Sequence, residues 1–338
     1  MSTDIKGLVD RVYREYLEPM DDLTSYTTLN QGGTLSDSAT TLTFNGDLLT
    51  QEEEDAMDAG TIIECESELM RCVSLDTVNN QVTVVRGVRG TSNVQHADGS
   101  IIKIAPPFPR QVVFDAVKDQ INNLFPTLFA VETQSIVAST GYTLIGSYDS
   151  PGTNNYLISI LSAISQYTDF SAGADTTGVI FSPVTSSLVE LPNPFTYTDN
   201  DGVSRTITYT TGPNVVHAIQ FSNIAAGHTT HVTFKKKFIE PTAESDTLAT
   251  VGLEQEYEPI IMAGVAAQLL SGRDIPTATA DYISDQLSVS AFPVGSASNI
   301  RNSLLQYQQL LVNQARKHLR AKYPEAVSVD GKVFGIQA

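Results

Sequence analysis

Apolar positions first recur at helical spacing over residues 3–19. Ile5, Leu8, Val9, Val12, Tyr13 and Tyr16 share a face, Thr3 or Asp4 stands where a cap belongs, and Pro19 stops the pattern. From residue 40 the period shortens to two. Runs at 40–44, 61–75, 81–88 and 100–105 are separated by Asn79-Asn80 and by Gly and Asp, which predicts a small antiparallel unit. The run 61–75 fits one long strand or two shorter ones, and 51–58 is a polar excursion or a single helical turn. Pro106, Pro107 and Pro109 form a stiff connector, after which Val113, Ala116, Val117, Ile121 and Leu124 mark a helix over 110–125. Residues 127–240 are nearly continuous short strands among Thr, Ser, Gly, Pro and Asn. The clearest hairpin turns at Asp201-Gly202, and the regular spacing predicts a β-sandwich. Helical patterns return at 254–272 and 276–287. They are strongest at 298–323, where Ile300, Leu304, Tyr307, Leu311 and Leu319 line one side and Pro324 closes the element.

The fold class expected is therefore α+β: a helical body of N-terminal, middle and C-terminal helices, with a small antiparallel β-module and a β-sandwich inserted. The divisions are residues 1–20 and 106–126 for helices of the body, 21–105 for the β-module and 127–240 for the sandwich. Residues 241–324 form a helical region and 325–338 an extended tail. The apolar helix faces are too wide to stay bare, so the helices are expected to pack on one another.

Charge changes the picture more than composition does. Of 338 residues, 41% are hydrophobic and only 17% charged, a make-up that suits β-rich structural proteins. No apolar run is long enough for a membrane helix, and the opening M-S-T-D-I-K has no apolar signal core, so a soluble protein made in a cytoplasm is expected. The net charge of −18 is uneven. Residues 45–68 hold nine acids and no base, including Glu52, Glu53 and Glu54. Residues 287–324 hold Arg301, Arg316, Lys317, Arg320 and Lys322 and no acid. Each block reads either as a solvated face or as one of two opposed surfaces that fix the register of neighbouring subunits. Overall acidity argues against a dedicated nucleic-acid binder.

Candidate chemistry is sparse. Phosphate-loop, dinucleotide, nucleophile-elbow and metalloprotease motifs are missing, and no catalytic, metal or cofactor residues are expected. His228 and His231, three apart in a strand, face opposite sides and chelate poorly together. The D-N-D-G stretch at 199–202 lacks the downstream Glu of a calcium loop and reads as a turn. Glu66 and Glu68 would need a cleft between them to serve a glycosidase. Cys65 and Cys72 lie an odd number of positions apart, which in one continuous strand turns them to opposite faces.

One string carries more information than these: R-G-V-R-G-T at residues 86–91, then H-A-D-G at 96–99. Gly87, Gly90 and Gly99 suit positive φ, while Thr91 and Asp98 can bond nearby backbone. Arg86, Arg89 and His96 are candidates to touch a neighbour. The string resembles a small β-module of tailed-bacteriophage neck and tail proteins, and P-P-F-P-R followed by a helix extends the likeness over about residues 20–125. The whole arrangement is similar to the head–tail adaptor (connector) family. That resemblance implies a virion neck protein, a homo-oligomeric ring commonly of twelve copies, with DNA passing through its channel. Its partners would be the portal and a downstream head-closure or tail protein. The tail would reach the portal through Val327, Val329, Val333, Phe334 and Ile336, adding a strand to an exposed edge, or else fold back on its own domain. Subunit contacts would involve Arg86, Arg89, Glu52, Glu53, Glu54, Arg316, Lys317 and Arg320. A baseplate, fibre-adaptor or decoration protein, and a glycan-binding or glycan-cleaving virion protein, stay open as alternatives that oligomeric state would separate.

Overall fold

The structure, a computed structural model, describes residues 4–17, 24–137, 142–144, 157–168, 179–183, 185–192, 195–198, 204–207, 215–222, 229–271, 283, 297–323, 326–329 and 332–335. It is mixed α/β with antiparallel sheets, and the chain divides into two compact units. The first comprises Met1–Ile121, Pro241–Thr247 and Gln255–Leu311, and the second comprises Asn122–Glu240, Leu248–Glu254 and Val312–Ala338.

In the first unit, helix α1 (Ile5–Val12) buries Ile5, Leu8, Val9 and Val12, and Asp4 caps it by accepting from the Gly7 amide at 2.8 Å. A π-turn, Tyr13–Leu17, prolongs it. Strands β1 (Tyr26–Thr28), β2 (Thr41–Thr43), β3 (Ile62–Cys65), β4 (Glu68–Asp76), β5 (Gln81–Val85) and β6 (Ile101–Ile104) then form one sheet in the order β1-β6-β3-β4-β5-β2. The sheet curls until its outer strands meet. Leu29 bridges Phe44, the Asn30 amide donates to the Thr43 carbonyl at 2.8 Å, and the Asn45 amide donates to the Thr28 carbonyl at 2.9 Å. Closure satisfies edge groups that would otherwise template aggregation. Leu29, Leu42, Phe44, Ile63, Met70 and Val82 fill the interior. Between β2 and β3, helix α2 (Gln51–Asp55) starts with a capping box of Thr50 and Glu53, which explains helix in so polar a stretch.

The cysteine expectation fails here for a plain geometric reason. Residues 61–75 form a hairpin, not one strand, and the turn at Glu66 and Ser67 resets the alternation, so Cys65 and Cys72 both enter the barrel core.

Helix α3 (Arg110–Leu124) follows the prolines, and its first amide, that of Arg110, donates to Glu64 Oε1 at 2.5 Å. Helix α5 (Glu258–Leu269), preceded by the short α4 (Leu248–Val251), has Pro259 in its first turn and is buried around almost its whole circumference. Arg11 on α1 pairs with the buried Glu258. Helix α6 (Ala297–Lys322) sends Gln308 Nε2 to Gln120 Oε1 of α3 at 3.0 Å and to the Ile260 carbonyl of α5 at 3.2 Å. The two glutamines lie over Gly264, where a Cβ would come within 2.2 Å of Gln120. Glycine here leaves room for the two side-chain amides to meet over α5.

The second unit holds β7 (Ala130–Val137), β8 (Tyr142–Leu144), β9 (Leu157–Thr168), β10 (Val179–Pro183), β11 (Thr185–Pro192), β14 (Val215–Ser222) and β15 (Thr229–Lys236). They make two antiparallel sheets, β10-β9-β15-β7 and β11-β14-β8. Strands β12 (Phe195–Thr198) and β13 (Ser204–Ile207) form the predicted hairpin, although its turn at 199–202 lies outside the described residues. The tail gives a second hairpin, β16 (Ala326–Val329) with β17 (Lys332–Gly335), in which Val327 registers with Phe334 and Val329 with Lys332. The helix expected at 276–287 lies outside the described residues except for Ile283, as do His228 and Ile336.

Candidate functional site

The R-G-V-R-G-T string and the H-A-D-G string converge on one buried carboxylate, that of Glu68 in β4. Arg86, just past β5, donates Nε to Glu68 Oε1 and Nη2 to Oε2, both at 2.6 Å. Its Nη1 donates to the carbonyls of Ser36 at 2.9 Å and Ala39 at 3.0 Å, and Nη2 also donates to that of Val94 at 2.6 Å. All five guanidinium donors are thereby used. Glu68 accepts further from the amides of Gly87 and Val94, each at 3.1 Å, and its Oε2 lies 2.9 Å from His96 Nε2. The other ring nitrogen, Nδ1, lies 3.0 Å from Glu66 Oε2. Burial alone would raise the Glu68 pKa, but Arg86, the Val94 amide and His96 outweigh it and hold the carboxyl below its ordinary value.

One expectation is corrected by this geometry. Arg86 does not reach a neighbouring subunit, because its side chain is 3% exposed and every donor is engaged inside the barrel. Glu66 and Glu68 do not flank a cleft, since Glu68 is sealed and its oxygens are turned to Arg86, His96 and two amides.

The glycines behave as the string predicts. Gly87, Gly90 and Gly99 have φ of 59°, 85° and 82°. Gly87 is doubly constrained, because a Cβ there would meet Asn93 Oδ1 at 2.1 Å. Thr91 Oγ1 donates to the Val88 carbonyl at 2.9 Å and accepts from the Leu69 amide at 3.1 Å, pinning the turn to β4. Asp98 accepts from the distant Gln31 amide at 2.6 Å. Arg89 is the charged member of R-G-V-R-G-T whose side chain is exposed. It sits at φ 55° between two left-handed glycines, and its side chain borders a groove of about 490 Å³ with Ile62, Pro107, Pro109 and Val112.

The acidic block is less uniform than its composition. Glu53 is committed to the α2 capping box and to Ser25, at 2.7 Å, while Glu52 is exposed and Glu54 half-buried. A second cleft, of about 500 Å³, is lined by Asp10, Tyr13, Glu64, Glu66, Lys103 and Arg110. Its charges compensate one another: Arg110 pairs with Asp10 at 2.7 Å and with Glu244 at 2.8 Å. Among the described residues no His, Cys, Asp and Glu cluster could hold a metal ion.

In the second unit, Arg316, Lys317 and Arg320 are exposed on the last turns of α6. Arg316 and Arg320 share a groove of about 210 Å³ with Lys235 of β15, Phe129, Leu319 and Tyr323. Lys235 Nζ stands 4.4 Å from the centre of the Phe129 ring. Sequence reasoning missed Lys235 and Phe129, since nothing local ties them to residues far along the chain. The tail positions Val327, Val329, Val333 and Phe334 lie on the β16–β17 hairpin.

Compared with known protein families and with curated proteins, the sequence finds no match.

Proposed function

We propose that this chain is a structural virion protein of a tailed phage, a head–tail adaptor that forms a ring between portal and tail and lets DNA pass through its centre. The observation that carries the reading is the engagement of most of the R-G-V-R-G-T and H-A-D-G string in building the barrel. Arg86 and His96 lock Glu68, Gly87 and Gly90 turn the chain, and Thr91 pins the turn. Such a string specifies a module rather than a reaction, so its resemblance to the phage β-module is a resemblance of architecture.

In this reading α1, α3, α5 and the first part of α6 are the helical body, and the barrel is an insertion between α1 and α3. The strands of residues 127–240 form the second insertion, a β-sandwich. The ring closes by a head-to-tail interface. Arg89, Glu52 and Glu54 on one unit and Arg316, Lys317 and Arg320 on the other remain available for it, whereas Arg86 and Glu53 are committed internally. The tail hairpin meets the portal, and the opposite end of the ring receives the head-closure or tail protein.

Negative-stain electron microscopy of the purified chain, alone and mixed with recombinant portal, tests this. The adaptor reading requires rings, expected with twelve subunits, that cap the portal. Trimers would move the chain to a fibre or decoration role, and a monomer that ignores portal would overturn the proposal.

A further inference from the structure

Two adjoining turns of the barrel carry apolar side chains out into solvent. Gly46 of the first turn abuts the Asn80 side chain of the second, and the Phe44 amide donates to the Asn80 carbonyl at 2.9 Å. Leu48 on the first turn is 48% exposed and Val78 on the second is 89% exposed. Asp76 fixes the second turn, accepting from the Val78 amide at 3.1 Å and from the Asn79 side chain at 2.8 Å. Val78 is thereby held outward on a set backbone, which lowers the cost of ordering it in a contact. Exposed Asp47 precedes Leu48, and exposed Asp76 opens the turn that bears Val78. The two turns together make a knob that is apolar and acidic. Single exposed apolar side chains are ordinary, but a patch of them marks a surface that another protein covers.

The groove beside Arg89 has the opposite character. Ile62, Pro107, Pro109 and Val112 give it apolar walls, and exposed Arg89 supplies a cation at its edge. Arg89 holds φ 55° and ψ 32°, a conformation that glycine or asparagine adopts more easily than arginine. A strained backbone that carries a long cationic side chain to the edge of a groove points to a contact made by that side chain. Ile62 registers with Arg71, and Asp76 lies five positions further along β4, about 16 Å for an extended chain. Knob and groove are therefore too far apart to meet within one copy. Between copies their meeting is head-to-tail, and such a contact repeats, as a closed ring requires. We propose that the groove bounded by Arg89, Ile62, Pro107 and Pro109 receives the Leu48–Val78 knob of a second copy of this chain, with the Arg89 guanidinium facing Asp47 and Asp76. Burial of Leu48 and Val78 against the proline walls supplies attraction, and the opposed charges set the register. The proposal rests on the ring reading and deepens it by naming one interface and both of its faces.

Light scattering on the full-length chain over a range of concentrations tests the contact. The parent should assemble. Arg89→Glu, which spoils the groove, and Leu48→Ser/Val78→Ser, which spoils the knob, should each weaken assembly at least tenfold. All three positions are exposed, and circular dichroism checks that the fold persists. Arg89→Gly relieves the left-handed backbone and should still weaken assembly, so a loss there reports the guanidinium and not unfolding. Mixed in equal amounts, the groove and knob variants share one intact pair of faces and should form dimers that grow no further. If the parent assembles and both variants assemble as well as it does, the groove–knob contact is overturned and the ring reading stands. A parent that stays monomeric overturns both. Variants that stay monomeric when mixed overturn the head-to-tail pairing.

Discussion

Removing Arg86 should do more damage than removing any other single polar side chain of the barrel. In Arg86→Met the Glu68 carboxylate keeps its amide bonds and its contact with His96 but loses two charge-assisted bonds of 2.6 Å. It also stays in a site where its side chain has no solvent exposure. Stranding one partner of a buried pair costs about 3–5 kcal/mol. The carbonyls of Ser36, Ala39 and Val94 lose their donor as well, at about 1–3 kcal/mol for each that water fails to reach. These terms overlap, so about 4 kcal/mol is expected. The double variant Glu68→Leu/Arg86→Met removes both charges and strands only neutral backbone groups. It should therefore cost several kcal/mol less than the sum of the single variants.

Because the chain has two units, global melting is a poor measure of this. Hydrogen exchange followed on peptides from β4 and β5 reads the barrel alone. A loss of about 4 kcal/mol corresponds to roughly thousandfold faster exchange of the most protected amides. Acid gives an independent check. The Glu68 pKa is depressed in the folded barrel, so the stability it confers is complete above the titration of the unfolded carboxyl and drains away as pH falls through the folded value. In Glu68→Gln that acid-dependent loss should shrink, once exchange rates are corrected for their intrinsic pH dependence. Single variants that each cost under about 1 kcal/mol, with a strictly additive double variant, would refute the argument.

The glycines of the string should separate by mechanism. Gly90→Ala costs about 1 kcal/mol from its positive φ alone, and Gly87→Ala costs more because its Cβ also strikes Asn93, an order readable from the same exchange profiles. Burial pushes the thiol pKa of Cys65 up to about 12 and that of Cys72 up to about 11. Both should resist a thiol reagent at pH 8 in the native protein and react fully in denaturant, and rapid native modification would show that the barrel opens. If exposed charges join the subunits, rings should dissociate as salt rises towards 1 M, where screening acts within about 3 Å. Unchanged mass by light scattering would favour an apolar interface. Truncation after Pro324 should leave both units folded by circular dichroism yet abolish attachment to portal, and a truncated ring that still docks would assign the contact elsewhere.

Much of the local structure was legible because hydrophobic period is a local property. The faces of α1, α3 and α6, the proline connector and the β12–β13 hairpin all follow from spacing within a single run. Barrel closure was not legible. It rests on β1, three residues long, pairing with β6 in the register Tyr26 to Lys103, and on the Leu29–Phe44 bridge. Three residues carry no readable period, and no short-range signal encodes partners so far apart. The cysteines failed for a related reason, because alternation predicts a face only while the strand continues. Glu68 was hidden by its type: a glutamate among other acids reads as solvent-facing until a distant arginine is brought to it.

The same point changes what the acidic block means. Nine acids between residues 45 and 68 suggest one negative face, yet four have particular tasks in the fold. Glu68 holds Arg86, Glu66 contacts His96, Glu64 accepts the first amide of α3, and Glu53 closes the α2 cap. Asp47, Glu52, Glu54, Asp55 and Asp58 are left to face outward at least in part. On the basic side Lys322 is occupied by Glu254, while Arg316 and Arg320 line a groove with Lys235. A charge block is therefore an upper bound on the field that a partner meets. If copies of this chain assemble through these two blocks, as the ring proposal has it, the contacts fall to about five acids and a few cations, a number small enough to reverse one charge at a time.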